Sequence, residues 1–166
     1  MEKFTISGGC HYSTKYLKPY LFKDKIEFAF KFSNNCGYFF GNENDLILNT
    51  IFGISFGHQH KNSIRLGWKW SVQEQCIEIY PYAYINGKYI QELNKCLSKI
   101  KPNELTYCTI EINSNNFNIS IVTLNSANST KITKPKLIKI GYYLFPYFGG
   151  KLPAPHDMDI YLMHII

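Results

Sequence analysis

Over almost its whole length the chain alternates apolar and polar side chains with a period of two, and a 3.6-residue period is nearly absent. A two-residue period turns successive side chains to opposite faces of an extended strand, so such a chain is driven into sheets with one dry and one wet face. IEFAFKF (residues 26–32) is the plainest case: Ile26, Phe28, Phe30 and Phe32 share one face, Glu27, Ala29 and Lys31 the other. The pattern returns at residues 46–57, 64–70, 76–85, 107–112, 117–122, 137–145 and 159–165. Between these runs stand turn-forming clusters, among them Asn34-Asn35-Cys36-Gly37, Asn86-Gly87, Asn113-Ser114-Asn115-Asn116 and Gly149-Gly150. One short helix fits only at residues 90–100, where Ile90, Leu93, Leu97 and Ile100 have helical spacing, and residues 125–133 read as a flexible loop. About nine strands with no interleaved helices predict an all-β fold, an antiparallel two-sheet β-sandwich of the jelly-roll type. At 166 residues and 45% hydrophobic composition, one domain over residues 1–166 has enough apolar area to fill a core.

Two hairpins can be registered from side-chain chemistry. Folding residues 64–70 back onto 77–85 with Trp70 opposite Ile77 sets Trp68 against Ile79, Leu66 against Pro81 and Ile64 against Ala83, an entirely apolar face. The other face then pairs Lys69 with Glu78, Gly67 with Tyr80, Arg65 with Tyr82 and Ser63 with Tyr84, giving an ion pair, a ring over a glycine and a cation–π pair. Asn86-Gly87 asks for a type I′ turn, which sets Tyr89 opposite Tyr84 and Gln91 opposite Tyr82. Pro81 has no N–H to give to a ladder, so a bulge or an unpaired edge is expected there. The expected core holds Phe28, Phe30, Leu66, Trp68, Trp70, Ile77, Ile79, Ile110, Ile112, Ile119 and Ile121.

The polar face gathers Arg65, Lys69, Glu78, Tyr80, Tyr82, Tyr84, Tyr89 and Gln91. Tyrosine rings stack on the C–H faces of sugars while their hydroxyls hydrogen-bond, and Arg and Gln fix carboxylates or hydroxyls, so this face has the chemistry of a glycan groove. Alternating tyrosines also have high strand propensity and can pack beneath a loop. FGHQHKNSIR puts His58 and His60 on one side of an extended segment shortly before Arg65. They fit three roles: a metal pair lacking a third ligand unless His156 or Asp157 supplies it, a general base in a groove, or a loop pair at a strand end. Tyr147, in the Pro- and Gly-rich loop LFPYFGGKLPAP, belongs to a rigid connection that can wall a cleft or plug the end of a sandwich. No metal site and no cofactor is assigned.

Arg65 is the only arginine, and no lysine can copy its planar fork. The net charge of +6 is spread as scattered lysines with no run of five like charges, so nucleic acid is not the expected partner and an anionic small molecule or glycan is. Five cysteines without a CxxC pair read as reduced, mostly buried thiols. No window reaches the length of a membrane span and the first residues lack the apolar core of a signal peptide, so a cytoplasmic protein is expected, with no membrane partner. No GxSxG, HExxH, GxGxxG or phosphate-loop motif occurs.

The strand order, the Asn-Gly hairpin after CIEIYPYAYI, the YCTIEINSNNFNISI hairpin and the closing aromatic strand-loop-strand together resemble the concanavalin A-like jelly-roll group over residues 26–166. That group includes lectins, glucanases and alginate-type polysaccharide lyases. In such lyases an Arg-rich strand, a Gln-x-His strand and a terminal Tyr-containing strand line one concave sheet. Here the counterparts are a single arginine, an adjacent Gln59-His60 and Tyr147 in LFPYFGG.

Three function classes follow. The first is a non-enzymatic binding module for a glycan or polyhydroxylated ligand, held by His58, His60, Arg65, Lys69, Tyr80, Tyr82, Tyr84, Tyr89, Gln91 and Tyr147. The second is a polysaccharide lyase or glycosidase on the same face; in an elimination, Arg65 or Gln59 would neutralise the substrate carboxylate while His60 or Tyr82 serves as base and acid. The third is a phage- or virus-type protein that sequesters an anionic small molecule or a partner protein. The oligomeric state is not legible in the sequence.

Overall fold

The computed structural model describes residues 1–13, 18–21, 23–90, 94–134, 136 and 140–164. Thirteen strands are formed among them: β1 (Glu2–Ile6), β2 (Pro19–Leu21), β3 (Lys25–Phe32), β4 (Asn49–Ser55), β5 (Ser63–Ser71), β6 (Cys76–Ile85), β7 (Lys88–Tyr89), β8 (Ser98–Ile100), β9 (Thr106–Ile112), β10 (Asn116–Val122), β11 (Ala127–Thr133), β12 (Ile140–Leu144) and β13 (Met158–His164). Two short 3₁₀ turns, Asn34–Cys36 and Glu43–Leu46, interrupt them. The strands build two antiparallel sheets, one in the order β1-β13-β3-β9-β10-β11 and one in the order β2-β12-β4-β5-β6-β7, with β8 also pairing β6. This is the two-sheet jelly roll that the alternation predicts.

The sheets close on each other through their apolar faces. Phe28, Phe30 and Phe32 of β3, Ile110 and Ile112 of β9 and Ile119 and Ile121 of β10 meet Ile64, Leu66 and Trp68 of β5 and Ile77 and Ile79 of β6, all of them buried. Trp68 sits at the centre, its ring 4.9 Å from that of Phe32 and 5.8 Å from that of Tyr38. Trp70, expected in the core, is only half-buried and packs on the core's rim, where Gly37 leaves room for its indole. All five cysteines are unpaired, with Cys36, Cys76 and Cys108 buried.

The β5–β6 hairpin has the register read from side-chain chemistry, Trp70 opposite Ile77 through Ser63 opposite Tyr84. Asn86 and Gly87 both take positive φ, 51° and 80°, as a type I′ turn requires, and Tyr89 pairs with Tyr84. Gln91 lies outside the described residues. Pro81 falls where its missing donor does no harm: on the outer edge of β6, Ile79 accepts from Leu97 N and Ala83 from Ile90 N, and Pro81 stands between these two bonds, beyond the reach of β7 and β8.

Three expectations are corrected. Residues 98–100 are strand β8 rather than the end of a helix, because Ile100 and Ser98 pair with Ile77 and Ile79 and the helical spacing of the apolar residues loses to that edge; residues 91–93 lie outside the described set. Residues 127–133, expected in a loop, form β11, paired residue for residue with β10. An edge strand buries little, and Ile132 alone is buried in β11, so no alternation betrays it. Nine expected strands become thirteen for the same reason: β1, β2, β8 and β11 are short or lie at edges where side chains need not alternate.

Candidate ligand-binding groove

The outer face of the second sheet is hollowed by its own sequence. Across it run the rows Tyr142–Ser55–Ser63–Tyr84–Tyr89, small side chains on β4 and β5 between tyrosines on the flanking strands, and Leu144–Gly53–Arg65–Tyr82, which sets Arg65 between a glycine and a tyrosine. Gly53 must be a glycine: a Cβ there would lie 2.6 Å from Arg65 Cα and 2.3 Å from Ile64 O. The absent side chain lets β4 close up against β5 beneath Arg65, and the rings stand on either side. Ile47 and Leu48, in the segment leading into β4, drop across the middle and divide the trench into two clefts that share Tyr82.

The first cleft, about 450 Å³, is lined by Tyr12, Gln59, His60, Arg65, Tyr82, Tyr142 and Tyr147 together with the backbone-rich Gly149-Gly150 turn. Arg65 is its floor, only 4% exposed, where the sequence reading had it on the open face. Its guanidinium lies 4.7 Å from the centre of the Tyr82 ring and 5.7 Å from that of Tyr84, and donates from Nε and Nη2 to Ser63 Oγ (3.3 and 3.2 Å) and from Nη2 to Gln59 O (2.7 Å). Nη1 makes none of these bonds. Among the described residues no carboxylate pairs with Arg65 and no Asp or Glu lines this cleft. Burial therefore pushes the Arg65 pKa down, with the phenols of Tyr82, Tyr84, Tyr142 and Tyr147 acting against it.

His60 stacks flat on Tyr84, 5.1 Å between centres and 7° between planes. Partial burial, Arg65 and His58 all hold its imidazole below the ordinary value, so it is neutral at neutral pH. Burial also pushes the Tyr82 hydroxyl up to about 12 despite Arg65, and the phenol keeps its proton. The opposite wall is the Pro146–Gly149 loop. Tyr147 and Thr50 bond each other's backbone in both directions (2.8 and 3.1 Å), Gly149 N donates to Asn49 Oδ1 (2.8 Å), Phe148 N donates to His11 O (2.6 Å), and the His11 ring stacks on Tyr147. The rigid aromatic loop is thus a cleft wall, welded to β4 and to the N-terminal segment.

The second cleft, about 430 Å³, is lined by Leu46, Ile47, Leu48, Lys69, Tyr80, Tyr82, Tyr84, Tyr89 and Asn94. Here the cation is already matched. Lys69 Nζ lies 3.5 Å from Glu78 Oε2 and 4.9 Å from the Tyr80 ring centre, and Tyr80 donates to the same Glu78 oxygen at 2.7 Å. Lys99 approaches Glu78 Oε1 at 3.8 Å from the next strand. Tyr89 donates to Asn94 Oδ1 at 2.7 Å, which fixes the amide at the far end.

Of the residues singled out in the sequence, the groove brings together His60, Arg65, Lys69, Tyr80, Tyr82, Tyr84, Tyr89 and Tyr147. His58 lines neither cleft; it holds the turn before β5, its Nδ1 accepting from His60 N and its carbonyl from Lys61 N. His156 bonds Asn35 O and Asp157 accepts from Gly8 N, so neither joins the histidine pair, and among the described residues no three His, Cys, Asp or Glu side chains gather as a metal site. Tyr12, Tyr142, Asn94, Ile47 and Leu48 were missed. Tyr142 alone had a signal, since the same two-residue period that turns Tyr143 into the core turns Tyr142 out onto the tyrosine row.

No family model matches the sequence, and no curated protein matches it. The fold is shared widely. An alginate lyase from Klebsiella pneumoniae aligns with a TM-score of 0.60 at 11% identity, over 84% of this chain and 59% of the lyase, so the chain spans about three-fifths of that protein's length. A xylan β-1,4-xylosidase from Bacillus halodurans C-125 aligns at 0.49 with 9% identity, over 96% of this chain and 32% of that one. Chicken galectin 2 aligns at 0.37 with 8% identity, over 96% and 98%. The alginate lyase and this chain share the fold, a jelly roll of two antiparallel sheets.

Proposed function

We propose that the chain binds an acidic glycan along this groove, with a carboxylate of the ligand seated against Arg65. One observation carries the reading: an arginine that is 4% exposed, has no carboxylate partner among the described residues, and floors a cleft banked by tyrosines. A desolvated cation without a counter-ion is unfavourable, and a ligand carboxylate accepting from the guanidinium restores the balance while the rings stack on sugar C–H faces. A neutral glycan leaves that cation unmatched. Glycoside hydrolysis by a carboxylate pair has no support here, since neither cleft is lined by Asp or Glu among the described residues.

A second reading, elimination, is favoured by the neutral imidazole of His60 in the same cleft as Arg65 and the tyrosines Tyr12, Tyr82, Tyr142 and Tyr147. With the uronate neutralised by Arg65, His60 takes the proton from the carbon next to the carboxylate. The new C=C bond forms as the C–O bond at the adjacent carbon breaks, and the departing oxygen takes a proton from a tyrosine such as Tyr82. Calorimetric titration and thermal shift with acidic oligosaccharides, neutral oligosaccharides and nucleotides test both readings. A ligand at 100 times its Kd adds about 2.7 kcal/mol of stability. Stabilisation by acidic oligosaccharides alone supports the binding reading, and new ultraviolet absorbance from an unsaturated product supports elimination. Stabilisation by neutral sugars or nucleotides alone overturns both.

A further inference from the structure

The groove carries a charge asymmetry that narrows the ligand further. Arg65 and Lys69 project from the same face of β5 four residues apart, a span of about 13 Å along an extended strand and more than one sugar ring. At the Arg65 end the cation waits for an anion. At the Lys69 end Glu78, whose side chain is only 15% exposed, already holds the ammonium at 3.5 Å, and Tyr80 and Lys99 hold Glu78 in place. Glu78 stands behind the lining rather than in it, so a second ligand carboxylate there would meet an ammonium whose charge a fixed carboxylate already answers, with that like charge just beyond it. The remaining lining of that end is the tyrosine hydroxyls, the Asn94 amide and the apolar Leu46, Ile47 and Leu48, which suits hydroxyl and amide substituents and ring faces.

We propose that the groove is built for an oligosaccharide of mixed charge, an acidic sugar seated at Arg65 and a neutral one between Tyr80, Tyr84 and Tyr89. The inference rests on the acidic-glycan reading above and adds that Glu78 selects against a uniformly acidic chain. Repulsion of this kind sets specificity more than affinity.

Titration calorimetry at low salt tests it with two tetrasaccharides, one alternating glucuronate with N-acetylglucosamine and one made of galacturonate alone. The alternating chain is expected to bind about tenfold more tightly. Glu78→Gln should raise the affinity for the uniform chain about tenfold and leave the alternating chain within about twofold. Glu27→Gln removes the same charge from the ion pair with Lys25 on the other sheet and serves as the control for net charge, with no change in preference expected. Equal or tighter binding of the uniform chain to the native protein, or equal effects of Glu78→Gln and Glu27→Gln, overturns the mixed-charge inference while the acidic-glycan reading stands. If neither tetrasaccharide binds, and Arg65→Met behaves as the native protein does, both readings fall together.

Discussion

The two clefts share one sheet, the Tyr82 ring and the Ile47 and Leu48 saddle, but they treat charge in opposite ways. One buries a guanidinium against rings and backbone, with no Asp or Glu among its described lining residues. The other places an ammonium beside a carboxylate that two further groups hold steady. A matched pair near the surface is close to neutral in free energy, whereas an unmatched buried cation is a standing cost that a ligand can relieve. Equal counts of cations on a strand therefore do not mean equal attraction for anions; what matters is whether the protein has already answered each charge.

The largest expected effect removes both clefts together. Trp68→Ala deletes a fully buried ring beneath the sheet that carries them and should cost about 3 to 5 kcal/mol in a denaturant melt, with a loss below about 1 kcal/mol incompatible with this core. Arg65→Met separates the halves. It should weaken binding of an acidic oligosaccharide by about 2 to 5 kcal/mol in calorimetry. The ligand-free protein should melt at the same temperature or higher, because replacing an unpaired buried charge by an apolar side chain removes its desolvation cost and Ser63 Oγ keeps its own bond to Gln59 O. A ligand-free variant that unfolds would make Arg65 a strut and leave the first cleft without its function. Lys69→Met should cost at most about 1 kcal/mol of affinity for the same ligand, since its charge is already engaged; a loss equal to that of Arg65→Met erases the distinction between the clefts.

The smallest effect, a pH dependence, sharpens the first cleft alone. His60 faces Arg65, His58 and the Tyr84 ring, and its pKa in the folded protein lies below the ordinary value, so the unfolded chain binds its proton first as pH falls. The stability it contributes is full above about pH 6.5 and is lost as pH drops through the folded value, a slope that His60→Gln should remove. Affinity for an acidic oligosaccharide runs the other way, rising as His60 gains a proton beside the carboxylate. If His60 is a base, turnover instead falls over that same interval, so one titration with two readouts separates binding from elimination.

Much of this comparison is legible in the sequence and some is not, for definable reasons. Period-two alternation gives the strands that bury a face, and complementary pairs such as Lys69 with Glu78 give the β5–β6 register. The tyrosine row follows from that register. What stays hidden depends on contacts between distant segments: Tyr12 reaches the cleft because residues 11–13 bond the loop at Pro146 and Phe148, and Leu46 to Leu48 leave the expected strand because a 3₁₀ turn and a bulge near Thr50 precede the regular part of β4. The enclosure of Arg65 was equally out of reach. A register says which rings face a guanidinium, not that they close over it.

The reciprocal backbone bonds between Thr50 and Tyr147 have a kinetic meaning. They make this cleft wall an extension of β4, so the wall itself stands in place before a ligand arrives and loses little conformational entropy on contact. Capture should then proceed at the rate of encounter, raised by the protein's positive charge and lowered by salt. On the acidic-glycan reading, differences among glycans are expected in how long each one stays.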